Sequence, residues 1–206
     1  MSEPATLPPV LTVQADSAET SLGWATLGAR RWRCALGAGG VREDKVEGDA
    51  ATPAGRYPLR HIYFRNDRLV LPAVSLPARP IAEHDGWCDD PRSPAYNRLV
   101  HVPNEWSHEK MWREDGLYDL VVVVGYNDDP PEGEWGSAIF LHIARDDYAP
   151  TQGCVAFRRE DLLELVALIG PQTAINVLSI PADEARAPAN DDDVMKQFED
   201  FDEQDW

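Results

Sequence analysis

The chain has 206 residues, 43% of them apolar, with 19 basic against 36 acidic side chains and a formal net charge of −17. That length can bury a full core, which predicts one globular domain with a tail. So acidic a surface repels polyphosphate backbones and anionic bilayers, which argues against nucleic acid and membranes as partners.

The charge is uneven. Nine acids stand against two bases from Glu184 to Trp206, so this tail holds −7 of the total and the body −10. With 17 prolines, 14 glycines and no long amphipathic period before residue 160, the body reads as short strands joined by many turns. The N-terminus, MSEPATLPPVLTVQADS, has neither a basic n-region nor an apolar h-region. No stretch approaches the roughly 20 apolar residues of a membrane span, so the expected location is the cytoplasm, with the periplasm as the alternative. Cys34, Cys88 and Cys154 form an odd set without regular spacing. That pattern suits neither a disulfide framework nor a zinc knuckle, so no metal and no other cofactor is expected.

In chain order, residues 1–9 are Pro-rich and read as disordered, residues 10–182 as the folded domain, and residues 183–206 as an acidic tail. Leu11-Thr12-Val13 reads as an edge strand. Ser21 to Leu36 holds two β-like pieces around Gly28-Ala29-Arg30. The run from Lys45 to Gly55, with two glycines, a proline and fixed charges, reads on its own as a solvated hairpin connection. Arg56 to Arg60 resumes a strand. Asp85 to Pro91 and Tyr96 to Leu99 form an aromatic and acidic loop region, a composition suited either to ligand contact or to covering a core edge. Ser107 to Arg113 predicts one or two helical turns. Tyr118 to Tyr126, YDLVVVVGY, is continuous and β-branched, the mark of a central strand. Glu160 to Ile169 is the clear amphipathic helix, and Ala174 to Leu178 a last strand. In the tail, Val194, Met195, Phe198 and Phe201 fall at helical spacing, and transient helicity is the default expectation.

Chemistry concentrates between Gly136 and Arg159, GSAIFLHIARDDYAPTQGCVAFRR. An apolar run ends in His142, a polar loop follows, and Gly153-Cys154 opens a second apolar run. This places an imidazole at a strand end and a thiol after a glycine. A thiol needs a nearby base or cation to act as a nucleophile, and Arg158 and Arg159 offer positive potential. A glycine before the nucleophile permits a sharp turn with N–H groups facing an oxyanion. Cys34 lies among apolar neighbours and reads as a buried structural thiol, and Cys88 sits beside Asp89 and Asp90, a poor setting for a nucleophile. On local pattern alone, Cys154 reads equally as a nucleophile or as a packed thiol. No G-x-S-x-G elbow supports a serine hydrolase.

The segment resembles the active-site signature of the YkuD-type L,D-transpeptidase catalytic domain: a His at a strand end, a loop, then [Ser/Thr]-His-Gly-Cys before another strand. Here it reads His142, then Thr151-Gln152-Gly153-Cys154. Upstream, Lys45-x-Glu47-Gly48-Asp49-x-x-Thr52-Pro53-x-Gly55 is similar to the strand-and-loop motif that precedes the active site in that family. Two departures stand out: Gln152 replaces the usual His, and Ala156 stands where Asn or Arg is common. The loop between His142 and Cys154 is also shorter than in most wall-crosslinking members.

The resemblance implies a mostly β fold, a β-sandwich or barrel with one helix after the catalytic Cys. It also implies that Cys154 attacks the carbonyl of the third residue, a diamino acid, of a peptidoglycan stem peptide. His142 is then the base, oriented by a backbone carbonyl near Ile143, with oxyanion donors around Gly153 and Cys154. The expected substrates are stem peptides or muropeptides, and the expected reaction is L,D-carboxypeptidation in murein recycling. The alternatives are envelope L,D-transpeptidation and a noncatalytic binding module. Arg145 and Lys45 are candidate cations for the anionic substrate, each reading equally as a solvated charge or an ion pair. Thr151, Gln152, Trp87, Tyr96 and Asn97 are candidate pocket residues.

Overall fold

A computed structural model describes residues 8–179. The expectations for residues 1–7 and for the acidic tail lie outside the described residues. The strands follow in chain order as β1 (Val10–Ala15), β2 (Leu22–Leu27), β3 (Arg30–Ala35), β4 (Val41–Arg42), β5 (Thr52–Pro53), β6 (Gly55–Phe64) and β7 (Ala78–Pro80). Then come β8 (Asp85–Cys88), β9 (Leu99–His101), β10 (His108–Lys110), β11 (Leu120–Val124), β12 (Phe140–Ile143) and β13 (Val155–Phe157). The helix α1 (Arg159–Leu168) and strand β14 (Ala174–Leu178) complete the set.

The main sheet runs β11-β12-β13-β3-β2-β1-β14-β6, and β11 pairs back to β6, so the ring of strands closes into a barrel. Closure leaves no bare strand edge in the ring. The period-2 pattern of β1 buries Leu11, Val13 and Ala15 inside it. The expected edge strand is in fact flanked on both sides, by β2 and by β14. β2 is the next strand along the chain, but β14 comes from its far end, which no local pattern reports. The β2–β3 hairpin turns where expected, with Gly28 at φ +58°. Strand β11 is central as its composition demanded, paired with both β6 and β12 and buried at every position.

Helix α1 packs Leu162, Leu165 and Val166 against the barrel and carries Glu160 and Asp161 in its first turn, where the helix dipole favours acids. The Trp32 indole N–H donates to Glu164 at 2.7 Å, which ties the helix to β3. Over the barrel's other side lies a small antiparallel sheet, β10-β8-β9. Its outer strand occupies the segment expected to be helical. Pairing of His108, Glu109 and Lys110 with β8 overrides the weak helical preference of that short polar run.

Alternation along the barrel strands separates two cores. Leu120, Val122, Val124, Leu141 and Ile143 face an aliphatic interior. Val121, Val123 and Phe140 face outward, under the small sheet, with Trp87, Met111, Tyr118 and Cys154.

Candidate active site

Strands β12 and β13 are parallel, with Leu141 opposite Val155 and His142 opposite Ala156. Parallel neighbours need a crossover, and residues 144–154 supply it. The apolar residues Leu141, Val155 and Phe157 point into the barrel, so Cys154 and His142 point out of it, into one cleft of about 380 Å³. The Cys154 sulfur donates to the Ala138 carbonyl at 3.3 Å and accepts from the Phe140 N–H at 3.4 Å. His142 Nδ1 lies 2.8 Å from the Ile143 carbonyl oxygen. A carbonyl only accepts, so Nδ1 carries the proton and Nε2 is left as the basic nitrogen.

Burial sets the protonation of this pair. It pushes the Cys154 thiol up to about 12 and His142 down to about 4. At neutral pH the resting site therefore holds a neutral thiol and a neutral imidazole rather than an ion pair. The expected help from Arg158 and Arg159 is absent, because both serve other partners. Arg158 lies over the Tyr148 ring at 5.6 Å, and Arg159 pairs with Asp119.

The turn before Cys154 is locked from upstream. Gly153 has φ +125°, and a Cβ there would sit 2.7 Å from the Ala51 carbonyl oxygen, so only glycine fits. The Gly153 N–H donates to Thr151 Oγ1 at 3.1 Å, so the oxyanion donor expected at Gly153 is already engaged. Thr151 Oγ1 in turn donates to the Cys154 carbonyl at 2.7 Å.

The Lys45–Gly55 segment is not the solvated connection its composition suggested. Lys45 is buried and pairs with Asp49 at 2.7 Å. Asp49 is partly desolvated, yet hydrogen bonds from Lys45, Ala51 and Val46 hold its carboxyl below the usual range. This network shapes the loop that meets Gly153. Lys45 is thereby a structural ion-pair partner, and it does not line the cleft.

Of the other expected pocket residues, Arg145, Thr151 and Gln152 line the cleft, whereas Trp87, Tyr96 and Asn97 do not. Trp87 packs edge-on against Phe140 at 5.1 Å, in the same core cluster as Cys154. Tyr96 donates to Glu47 at 2.6 Å from beneath the rim. Asn97 is a buried bracket between loops.

The cleft also gains residues that sequence reasoning passed over, chiefly Glu47, Asp89, Glu109, Arg113, Tyr118 and Ser137. Glu47 stood inside the recognised loop motif and was readable there. Glu109 and Arg113 were hidden by the helical reading of their segment. The Tyr118 hydroxyl donates to Glu109 at 2.7 Å, and burial pushes the Glu109 carboxyl up. Arg113 lies over the Tyr118 ring at 4.9 Å and donates to Asp115 at 3.0 Å.

Residues 13–177 match the family model of the YkuD L,D-transpeptidase catalytic domain. No curated protein matches. A solved structure of L,D-transpeptidase 1 from Mycobacterium tuberculosis is similar at 12% identity and a TM-score of 0.35, covering 83% of this chain and 63% of that one. This chain thus spans somewhat less than two thirds of that relative's length. By the family match, the chain belongs to the YkuD L,D-transpeptidase catalytic domain family.

Proposed function

We propose that this domain is a cysteine-dependent L,D-carboxypeptidase that releases the terminal D-amino acid from peptidoglycan tetrapeptides. The observation that carries the reading is the meeting of Cys154 and His142 in one cleft, with His142 Nδ1 fixed on Ile143 so that Nε2 is the free base.

Because both groups rest neutral, proton transfer accompanies attack rather than preceding it. As the Sγ–carbon bond forms, the thiol proton passes to His142 Nε2. Collapse breaks the bond to the D-amino acid, whose nitrogen takes that proton. Water then adds to the thioester, again giving a proton to His142, and the shortened peptide leaves as the thiol is restored. Arg145, exposed on the cleft wall, suits the substrate's carboxylates. Gln152 and Ala156 present no charge to a second peptide, which favours water as the acceptor.

One observation favours transpeptidation instead. Glu47, Asp89 and Glu109 all line the cleft and are suited to hold an amine. Incubation of the protein with a tetrapeptide, with and without a free D-amino acid, separates the two. Release of D-Ala by wild type but not by Cys154→Ala supports hydrolysis, and an exchange product restores transpeptidation. No product, and no carbapenem adduct on Cys154, overturns both in favour of a binding module. A role in recycling further requires a cytoplasmic enzyme, and recovery in the periplasmic fraction overturns it.

A further inference from the structure

Asn97 does not itself line the cleft, yet its hydrogen bonds lead straight to it. Its Oδ1 accepts from the Trp87 indole N–H at 2.9 Å and from the Ala138 backbone N–H at 3.1 Å. Its Nδ2 donates to the Tyr126 carbonyl at 3.0 Å and the Asn127 carbonyl at 2.7 Å. The amide's orientation is fixed by chemistry: two neighbours only donate and two only accept, so all four positions are filled one way round.

Ala138 is the link. It holds φ +54°, a left-handed conformation that a side chain with a Cβ rarely adopts unless its surroundings impose it. Its carbonyl is the acceptor for the Cys154 thiol at 3.3 Å. Two residues on, the Phe140 N–H donates back to the same sulfur. The conformation of Ala138 therefore sets the hydrogen-bond environment of the nucleophile, and Asn97 holds Ala138.

We propose that Asn97 is a positioning residue for Cys154, pinning Ala138 in its left-handed conformation so that the Ala138 carbonyl fixes the thiol on the cleft floor. This rests on Cys154 being the nucleophile. It differs from a bracket that merely joins loops, because it predicts altered chemistry at one sulfur.

The test is the rate of iodoacetamide alkylation at Cys154, read by peptide mass spectrometry from pH 6 to 11, the rising limb below the thiol's value of about 12. It needs no peptidoglycan substrate, so it stays informative if the tetrapeptide assay is silent. In Asn97→Ala, the S–H loses its fixed acceptor. The neutral thiol is then less favoured, so the rising limb of the alkylation rate should move to lower pH. With a tetrapeptide, kcat should fall about 10- to 100-fold with KM little changed, the signature of lost alignment. A folded Asn97→Ala whose rising limb and kcat match wild type overturns the proposal.

Ala138→Gly supplies the cycle, since glycine takes positive φ unaided. In that background the substitution at Asn97 should change Cys154 reactivity about threefold less or better, the scale of coupling between touching residues. Simple multiplication of the two effects overturns it as well. If Asn97→Ala does not fold, Asn97→Gly takes its place in the cycle, because Asn97 itself sits at φ +54°, which glycine adopts unaided. Glycine there offers no acceptor to the Ala138 N–H.

Discussion

Cys34 and Cys154 sit on opposite faces of neighbouring strands and share burial, but they differ in what surrounds them. Burial pushes both thiols up to about 12. Cys34 faces the aliphatic interior with Leu36, Leu141 and Phe157. Cys154 faces the aromatic core, where a carbonyl, an amide N–H and a cleft meet it. Desolvation alone thus does not distinguish the two thiols. What sets Cys154 apart is its backbone contacts, His142 in the same cleft and the opening to solvent.

The largest effect that would break this contrast is at the nucleophile. Cys154→Ala should lower turnover by about 10⁴-fold or more, as nucleophile removal does, with the thermal midpoint little changed. Next, His142→Gln should cost about 10²- to 10⁴-fold in kcat, the range of general-base loss, measured under saturating tetrapeptide.

Adjacent residues test the partition of the cores. Leu141→Ala should cost about 2–5 kcal/mol of stability in urea titration, with kcat per folded molecule unchanged. Phe140→Ala should cost about 3–5 kcal/mol and turnover too, because its ring supports Trp87 and Tyr118 beneath the cleft at 5.1 and 5.9 Å.

The pH dependence sharpens the comparison from the other side. His142 is depressed from 6.5 to about 4, so between those values the unfolded chain binds more protons than the folded one. Stability from this group is therefore fully present above pH 6.5 and is lost as pH falls toward 4, on the order of 3 kcal/mol in all. His142→Phe should flatten that acid limb in denaturation curves taken from pH 4 to 7. The same group should place the acid limb of kcat/KM near 4. The smallest effect is at Cys34, where Cys34→Ala should cost roughly 1 kcal/mol and leave kcat intact.

Much of this was legible in the sequence where the cause is local. The β2–β3 hairpin announced itself through Gly28, β11 through its valine run and α1 through its apolar stripe, whereas local pattern left Cys154 equally a packed thiol. What stayed hidden depends on partners far along the chain. The Lys45–Asp49 pair looks like ordinary surface charge until Gly136 and Gly153 close over its loop. Glu109 became a cleft residue only because β10 joins β8. Asn97 and Trp87 have the composition of a ligand wall, yet their polar atoms are spent on each other and on backbone.

The pairing of β1 with β14 bears on how the molecule comes into being. Val10 lies beside Ala174 in parallel register, so the first described strand waits for the last. A ribosome must release nearly the whole domain before the ring can shut, and such long-range closure makes for slow assembly. Until then β1 and β6 each lack the neighbour that β14 provides. The half-made ring is the stage at which this chain is most open to proteases and to sticking to its own copies.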